Sequence, residues 1–116
     1  MSNLVLILLV GVGGATGAIA RYGVGTRLPG PMATLVVNVL GSAAAGALLG
    51  ADLPDRAAAV AMIGFCGAFT TFSSFAVEVV DRFDRGEHVG ALRYAGVTLA
   101  TALFGAALGA LAVGGI

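Results

Sequence analysis

Residues 64–78 read Gly64-Phe65-Cys66-Gly67-Ala68-Phe69-Thr70-Thr71-Phe72-Ser73-Ser74-Phe75-Ala76-Val77-Glu78. Inside an apolar segment, this run carries four hydroxyls (Thr70, Thr71, Ser73, Ser74), four phenylalanines and a carboxylate. Gly64 and Gly67 each weaken a helix by about 1 kcal/mol relative to Ala. The hydroxyls offer the backbone hydrogen bonds that compete with the helical ladder. The spacing predicts a helix broken in its middle, between Gly67 and Thr71. Carbonyls freed by a break that is buried away from lipid make a cation site. Gly67 and Thr70 are the expected donors, being three apart and on one side of a partly helical turn. Phe72 and Phe75 are also three apart. Aromatic ring edges are electropositive, so this pair either contacts an anion without a strong fixed charge or packs as core. Glu78 falls near the same line. A carboxylate in such a segment is a functional candidate, unless it stands close enough to the end to be solvated.

Other segments carry groups that could join this one. Asn38 stands in a series of small or polar residues, Thr34, Asn38, Ser42, Gly46 and Gly50, each four apart and so on one helical face. Its amide either bonds a neighbouring helix or presents an N–H to a solute. Tyr94, Thr98, Thr101 and Gly105 share a face in the last apolar segment, where the hydroxyls serve either a polar track or their own backbone. Arg21 lies four residues after Gly17 and either snorkels to an interface or attracts anions in an aqueous vestibule.

The elements that position these groups follow from composition. The chain has 116 residues, 59% hydrophobic and 10% charged, with a mean hydropathy of +1.03. It divides into apolar stretches at residues 4–20, 32–51, 57–80 and 89–113, each near the length of about 20 residues that crosses a bilayer. A single all-α domain of four transmembrane helices is expected. No basic residue precedes the first stretch, so a cleaved signal is not expected. Net charge is +0, which implies no nucleic-acid partner. One Cys (Cys66, read as packing) and one His (His88, given no role) make a transition-metal site improbable. The run Gly11-Val12-Gly13-Gly14-Ala15-Thr16 fails as a dinucleotide loop, because the third glycine would fall at Thr16 and no acid precedes Asp52. Gly13 and Gly17 instead allow close helix approach. Asp55 is placed to cap the third helix, and residues 23–31 and 81–93 read as loops. No enzyme is expected. Four helices enclose too little space for a pathway, so a pore built from this chain needs at least two copies.

The run from Gly64 to Phe75, followed by Glu78, closely resembles the signature of the CrcB/Fluc fluoride channels. Gly13-Gly14-Ala15-Thr16-Gly17-Ala18-Ile19-Ala20-Arg21-Tyr22 and Asn38-Val39-Leu40-Gly41-Ser42 are similar to that family's first- and second-helix motifs. The resemblance implies a passive channel in the cell membrane that exports fluoride from the cytoplasm, built as an antiparallel, dual-topology dimer with two pores. It places Asn38, Phe72 and Phe75 in the pore. The Gly67 and Thr70 backbone carbonyls fall on a central structural sodium ion. Ser74, Tyr94 and Thr98 fall on a hydroxyl track, Glu78 on a pore-associated carboxylate and Arg21 on a vestibule arginine. Some members carry a further hydroxyl where this chain has Ala102, with Thr101 available as a substitute. The competing class, a small proton-coupled multidrug exporter, carries a carboxylate in helix one, and residues 1–51 contain no Asp or Glu.

Basic residues bear on orientation, because they favour the cytoplasmic side. Arg21, Arg27, Arg82, Arg85 and Arg93 group on one side and Arg56 alone on the other. Two outcomes are open. Either the chain pairs with an oppositely oriented homologue, or the bias is too weak to fix orientation and a second copy of the same chain is the partner.

Overall fold

The computed structural model describes residues 2–114, and among these the regular structure is helical. Helix α1 is Asn3–Gly25, opened by Ser2, whose hydroxyl accepts from the Val5 amide at 3.3 Å. Helix α2 is Gly30–Gly50, with proline in its first turn, where the missing N–H is harmless. Helix α3 covers residues 55–69: an α-helical turn Asp55–Ala58, a π-helical stretch Ala59–Cys66 and a last α-turn Gly67–Phe69. Helix α4 is Phe72–Asp84 and α5 is His88–Ala112. Together α3 and α4 make the third of four segments long and apolar enough to cross a membrane. The protein is a multi-pass membrane protein.

Several helix ends lie beyond the expected ones. Helix α1 runs on to Gly25 before the Thr26 hydroxyl and Arg27 guanidinium both bond the Gly23 carbonyl, at 2.8 and 3.2 Å. The charge-rich stretch after residue 80 is mostly helix, not loop. Arg82 pairs with Glu78 and Arg85 with Asp81, each one turn apart, so α4 continues to Asp84. The chain then reverses at Gly86, whose φ of +78° suits glycine. Asp55 is not a cap: Pro54 holds that position and Asp55 is the first helical residue.

The helices form a slab 52 × 31 × 23 Å, so its thin dimension is about two helix diameters. Helix α2 lies along α5, and α1 lies along the π-helical part of α3. Small residues permit both approaches. A Cβ added at Gly46 would collide with the Ala106 carbonyl, and one at Gly109 with the Ala43 carbonyl. Gly13 and Gly17 rest in the same way on the Val60 and Phe65 carbonyls. Without an apolar drive between helices in lipid, such close backbone contact is what holds them together. The buried apolar set is small: Ala33, Val37, Cys66, Phe69 and Ala91. Only 6% of the apolar window of α1 is buried within the protomer, so most of its surface meets lipid or another chain.

Gly46→Val and Gly109→Val should each destabilise the protein by about 1–3 kcal/mol, because the backbones cannot part without losing the whole α2–α5 seam. Gly11→Ala, at a position with open space, should cost nothing. Thermal melts of detergent-solubilised protein measure both, and equal melting temperatures would show that the seam is not close-packed.

Candidate functional site

The third span breaks at Thr70 (φ −81°, ψ 161°) and Thr71 (φ −148°, ψ 115°), two extended residues between α3 and α4. The break is narrower than the spacing suggested. Gly67 is helical (φ −61°, ψ −37°), and Gly64 lies within the π-helical stretch. What opens the backbone is Asn38. Its Oδ1 accepts the Thr71 amide at 2.8 Å, and its Nδ2 donates to the Thr71 carbonyl at 3.1 Å. These partners fix the orientation of the amide, since the Thr71 N–H can only donate and its carbonyl only accept. Two hydrogen bonds from one side chain thus satisfy both backbone groups of Thr71, while the Thr70 N–H stays in the ladder on the Cys66 carbonyl at 3.0 Å. Gly41, one turn further along α2, leaves room for the Thr70 methyl, which a Cβ there would strike.

Two carbonyls lose their helical partners as a result. The Thr71 amide would bond the Gly67 carbonyl in a continued helix, but it goes to Asn38. The Ser74 amide would bond the Thr70 carbonyl, but it goes to the Thr71 hydroxyl at 3.1 Å, which caps α4. The Thr70 hydroxyl turns back to the Cys66 carbonyl at 2.9 Å and so closes the end of α3. Backbone carbonyls are hard, neutral oxygen donors, the type that suits a hard monovalent cation.

Two open clefts meet at Thr71. One, about 420 Å³, is lined by Arg21, Thr34, Thr71, Ser73, Ser74 and Glu78 among others. The other, about 300 Å³, is lined by Asn38, Ser42, Thr70, Thr71, Phe72, Phe75, Thr98 and Ala102. The Asn38 Nδ2 carries two hydrogens, and one is bound to Thr71; the other belongs to a side chain that lines the second cleft. Thr98 is buried, and its hydroxyl sits near the Tyr94 phenol without making a well-formed hydrogen bond. Phe72 is 79% exposed although apolar. Its ring lies 5.9 Å from that of Phe75, which stacks at 5.9 Å on Tyr94. Tyr94 donates to the Pro31 carbonyl at 3.1 Å, tying α5 to the start of α2.

The structure therefore gathers the expected residues into two groups. Asn38, Thr70, Phe72, Phe75 and Thr98 border one cleft, and Arg21, Ser74 and Glu78 the other. Tyr94 stands behind Phe75, and Gly67 is exposed beside the break. Thr101 does not take over for the missing hydroxyl at Ala102. It is exposed, bonds its own helix at the Val97 carbonyl (2.6 Å) and lines an apolar groove with Val36 and Leu40. Two contributors were missed. Thr71 is the hub of the break; its position just before a helix with an amide-capping hydroxyl was the available signal. Arg82 was read as a solvated loop charge, but its side chain is only 17% exposed. Its spacing of four from Glu78 was the signal there.

Asn38→Ala would strand the Thr71 N–H and C=O together. The expected loss of stability is about 2–4 kcal/mol, since each unsatisfied buried group costs about 1–3 kcal/mol. A melt indistinguishable from that of the native protein would show that the break does not need Asn38.

Comparison with known proteins places this arrangement. The family model described as CrcB-like protein, Camphor Resistance (CrcB) matches residues 8–110. A protein of Natronomonas pharaonis named fluoride-specific ion channel FluC 2 is 49% identical over 108 residues, covering 91% of this chain and 92% of the relative. A Haloarcula marismortui protein of the same name is 45% identical over 103 residues, covering 86% of this chain and 87% of the relative. Fluoride-specific ion channel FluC of Cereibacter sphaeroides is 41% identical over 117 residues, covering 94% of each chain. With matches of this extent, carried through the Asn38 helix and the broken span alike, the chain belongs to the CrcB family.

Proposed function

We propose that the chain is a fluoride-selective channel and not an enzyme. It works passively to let fluoride leave the cytoplasm, and its working form is an antiparallel dimer of two copies with two pores. The single observation that carries this reading is the polar and aromatic lining that meets at Thr71, with an apolar ring, Phe72, left 79% exposed beside it. Relatives 41–49% identical over most of the chain are named fluoride-specific ion channels.

Fluoride is small and strongly hydrated, so a path must replace its water with donors along the whole way. It must also bind weakly enough for the ion to leave. Arg21 and the Ser74 hydroxyl supply attraction and donors in the first cleft. Beyond Thr71, the free N–H of Asn38, the Thr98 hydroxyl and the ring edges of Phe72 and Phe75 continue the series. In a slab about two helices thick, both clefts are open to the surroundings. A second, inverted copy would close them and cover Phe72. The partner is then the same chain; an oppositely oriented homologue would serve the same geometry.

The Gly67 and Thr70 carbonyls fit a structural sodium ion by their chemistry, and the loss of their helical partners supports the assignment. Two such carbonyls from each copy would give a four-oxygen set. When bound, the ion supplies positive charge and cross-links the two breaks. Because the ligands are backbone atoms, Thr70→Ser should be mild. Exchanging sodium for a large organic cation should lower the melting temperature of the purified dimer, as loss of a native-state ligand requires. A melting temperature that ignores sodium would remove the ion from the account.

Purified protein in liposomes should release fluoride, but not chloride, with no energy source; a fluoride electrode reads the efflux. Release only under an imposed proton gradient would mark an exporter instead. Phe72→Ile and Phe75→Ile keep volume but lose the ring edge, and each should slow efflux about tenfold, for an interaction on the order of 1 kcal/mol. Native efflux in both would return the rings to a packing role.

A further inference from the structure

The mouth of the first cleft poses an electrostatic problem that the anion pathway does not itself solve. Glu78 lines this cleft, and an uncompensated carboxylate there repels any anion that enters. Its Oε1 lies beside Gly30, in the first turn of α2, and its Oε2 lies 3.4 Å from Nη1 of Arg82. The same Nη1 donates to the Glu78 carbonyl at 3.0 Å. The two side chains are only 17% and 22% exposed, so water screens the pair little. Arg82 also lies over Tyr94, with Cζ 4.4 Å from the ring centroid. Tyr94 in turn stacks on Phe75, and Phe75 packs against Phe72. The guanidinium therefore ends a continuous line of ring contacts that runs from Glu78 to the aromatic pair.

We infer that Arg82 is a positioning residue of the anion pathway: it compensates and holds Glu78 at the cleft mouth and presses Tyr94 against Phe75. The inference rests on the channel reading above. Arg82 makes no direct contact with the anion in this scheme. Arg21 lines the same cleft and faces the entering ion, whereas Arg82 faces the carboxylate. The two arginines thus have different tasks. One attracts the ion, and the other stops Glu78 from repelling it.

The test is a double-mutant cycle on fluoride efflux from liposomes. Arg82→Ala should slow efflux about tenfold in the native background, but only about two- to threefold when Glu78 is already Gln, because the stranded charge is gone and only the packing on Tyr94 is lost. Arg82→Lys should fall between native and Arg82→Ala, since it keeps the charge but loses the plane over Tyr94. Arg85→Ala, at an exposed pair with Asp81 and Glu87, should leave efflux unchanged. If Arg82→Ala does not remain monodisperse, Arg82→Gln takes its place in the cycle. Native efflux without Arg82, or an equal loss in both backgrounds, would overturn the inference while leaving the channel reading intact. A native protein that releases no fluoride overturns both.

Discussion

The Asn38–Thr71 clasp is the constraint on which the rest of the site depends. A polypeptide in hydrocarbon cannot leave two consecutive residues out of a helix unless their polar groups find other partners. At Thr71 one amide side chain provides both a donor and an acceptor, spaced like those of a strand neighbour, while the Thr70 N–H keeps its helical bond to the Cys66 carbonyl. The consequences run outward from it. The Gly67 and Thr70 carbonyls are left without helical bonds, the Thr71 hydroxyl is freed to start α4, and the helix that starts there carries Phe72, Phe75 and Glu78. Asn38 also lines the second cleft and has one N–H beyond its bond to Thr71. On the proposed reading, this one amide serves both the break and the passing ion.

The slab shape explains why so much of the lining is exposed. Helices α2 and α5 meet through glycines that bring backbone against backbone. This makes a thin, rigid pair, not a bundle with an interior. In the proposed dimer the pathway runs between protomers, and the exposed Phe72 ring and the exposed Gly67 beside the break are faces that a second, inverted copy would cover. On the proposed reading, the channel is completed by assembly, and the proposed sodium ion joins the two protomers where their breaks meet.

Much of this was legible in the sequence because hydrophobic length and unusual residues in apolar segments are strong signals. Four spans and a third one broken followed from them, and so did the singling out of Asn38, Phe72 and Phe75, which the structure gathers at one cleft. The misses have physical causes. The break was expected between Gly67 and Thr71 and occupies only the last two residues of that interval, because the helix ends where a partner takes the next amide, and that partner lies 33 positions earlier in the sequence. Arg82 looked solvated because charges of both signs surround it. Burial against Tyr94, on a different helix, was not visible from spacing alone. The π-helical stretch 59–66 had no sequence cue that we recognise, since its residues are ordinary apolar ones and α1 packs on it through glycines. Thr101 shows the converse error: a hydroxyl at helical spacing from Tyr94 and Thr98 spends its hydrogen bond on its own helix.

The central claim is that one side chain both holds the break open and serves the passing ion. Nuclear magnetic resonance of isotope-labelled protein in lipid nanodiscs tests it most directly, by following the Asn38 side-chain amide and the Thr71 backbone amide during a fluoride titration. The account predicts a Thr71 amide that exchanges slowly with solvent throughout. It also predicts that one Asn38 amide proton shifts with fluoride and ignores chloride, while the other stays in place. A freely exchanging Thr71 amide, or an Asn38 amide indifferent to fluoride, would contradict it.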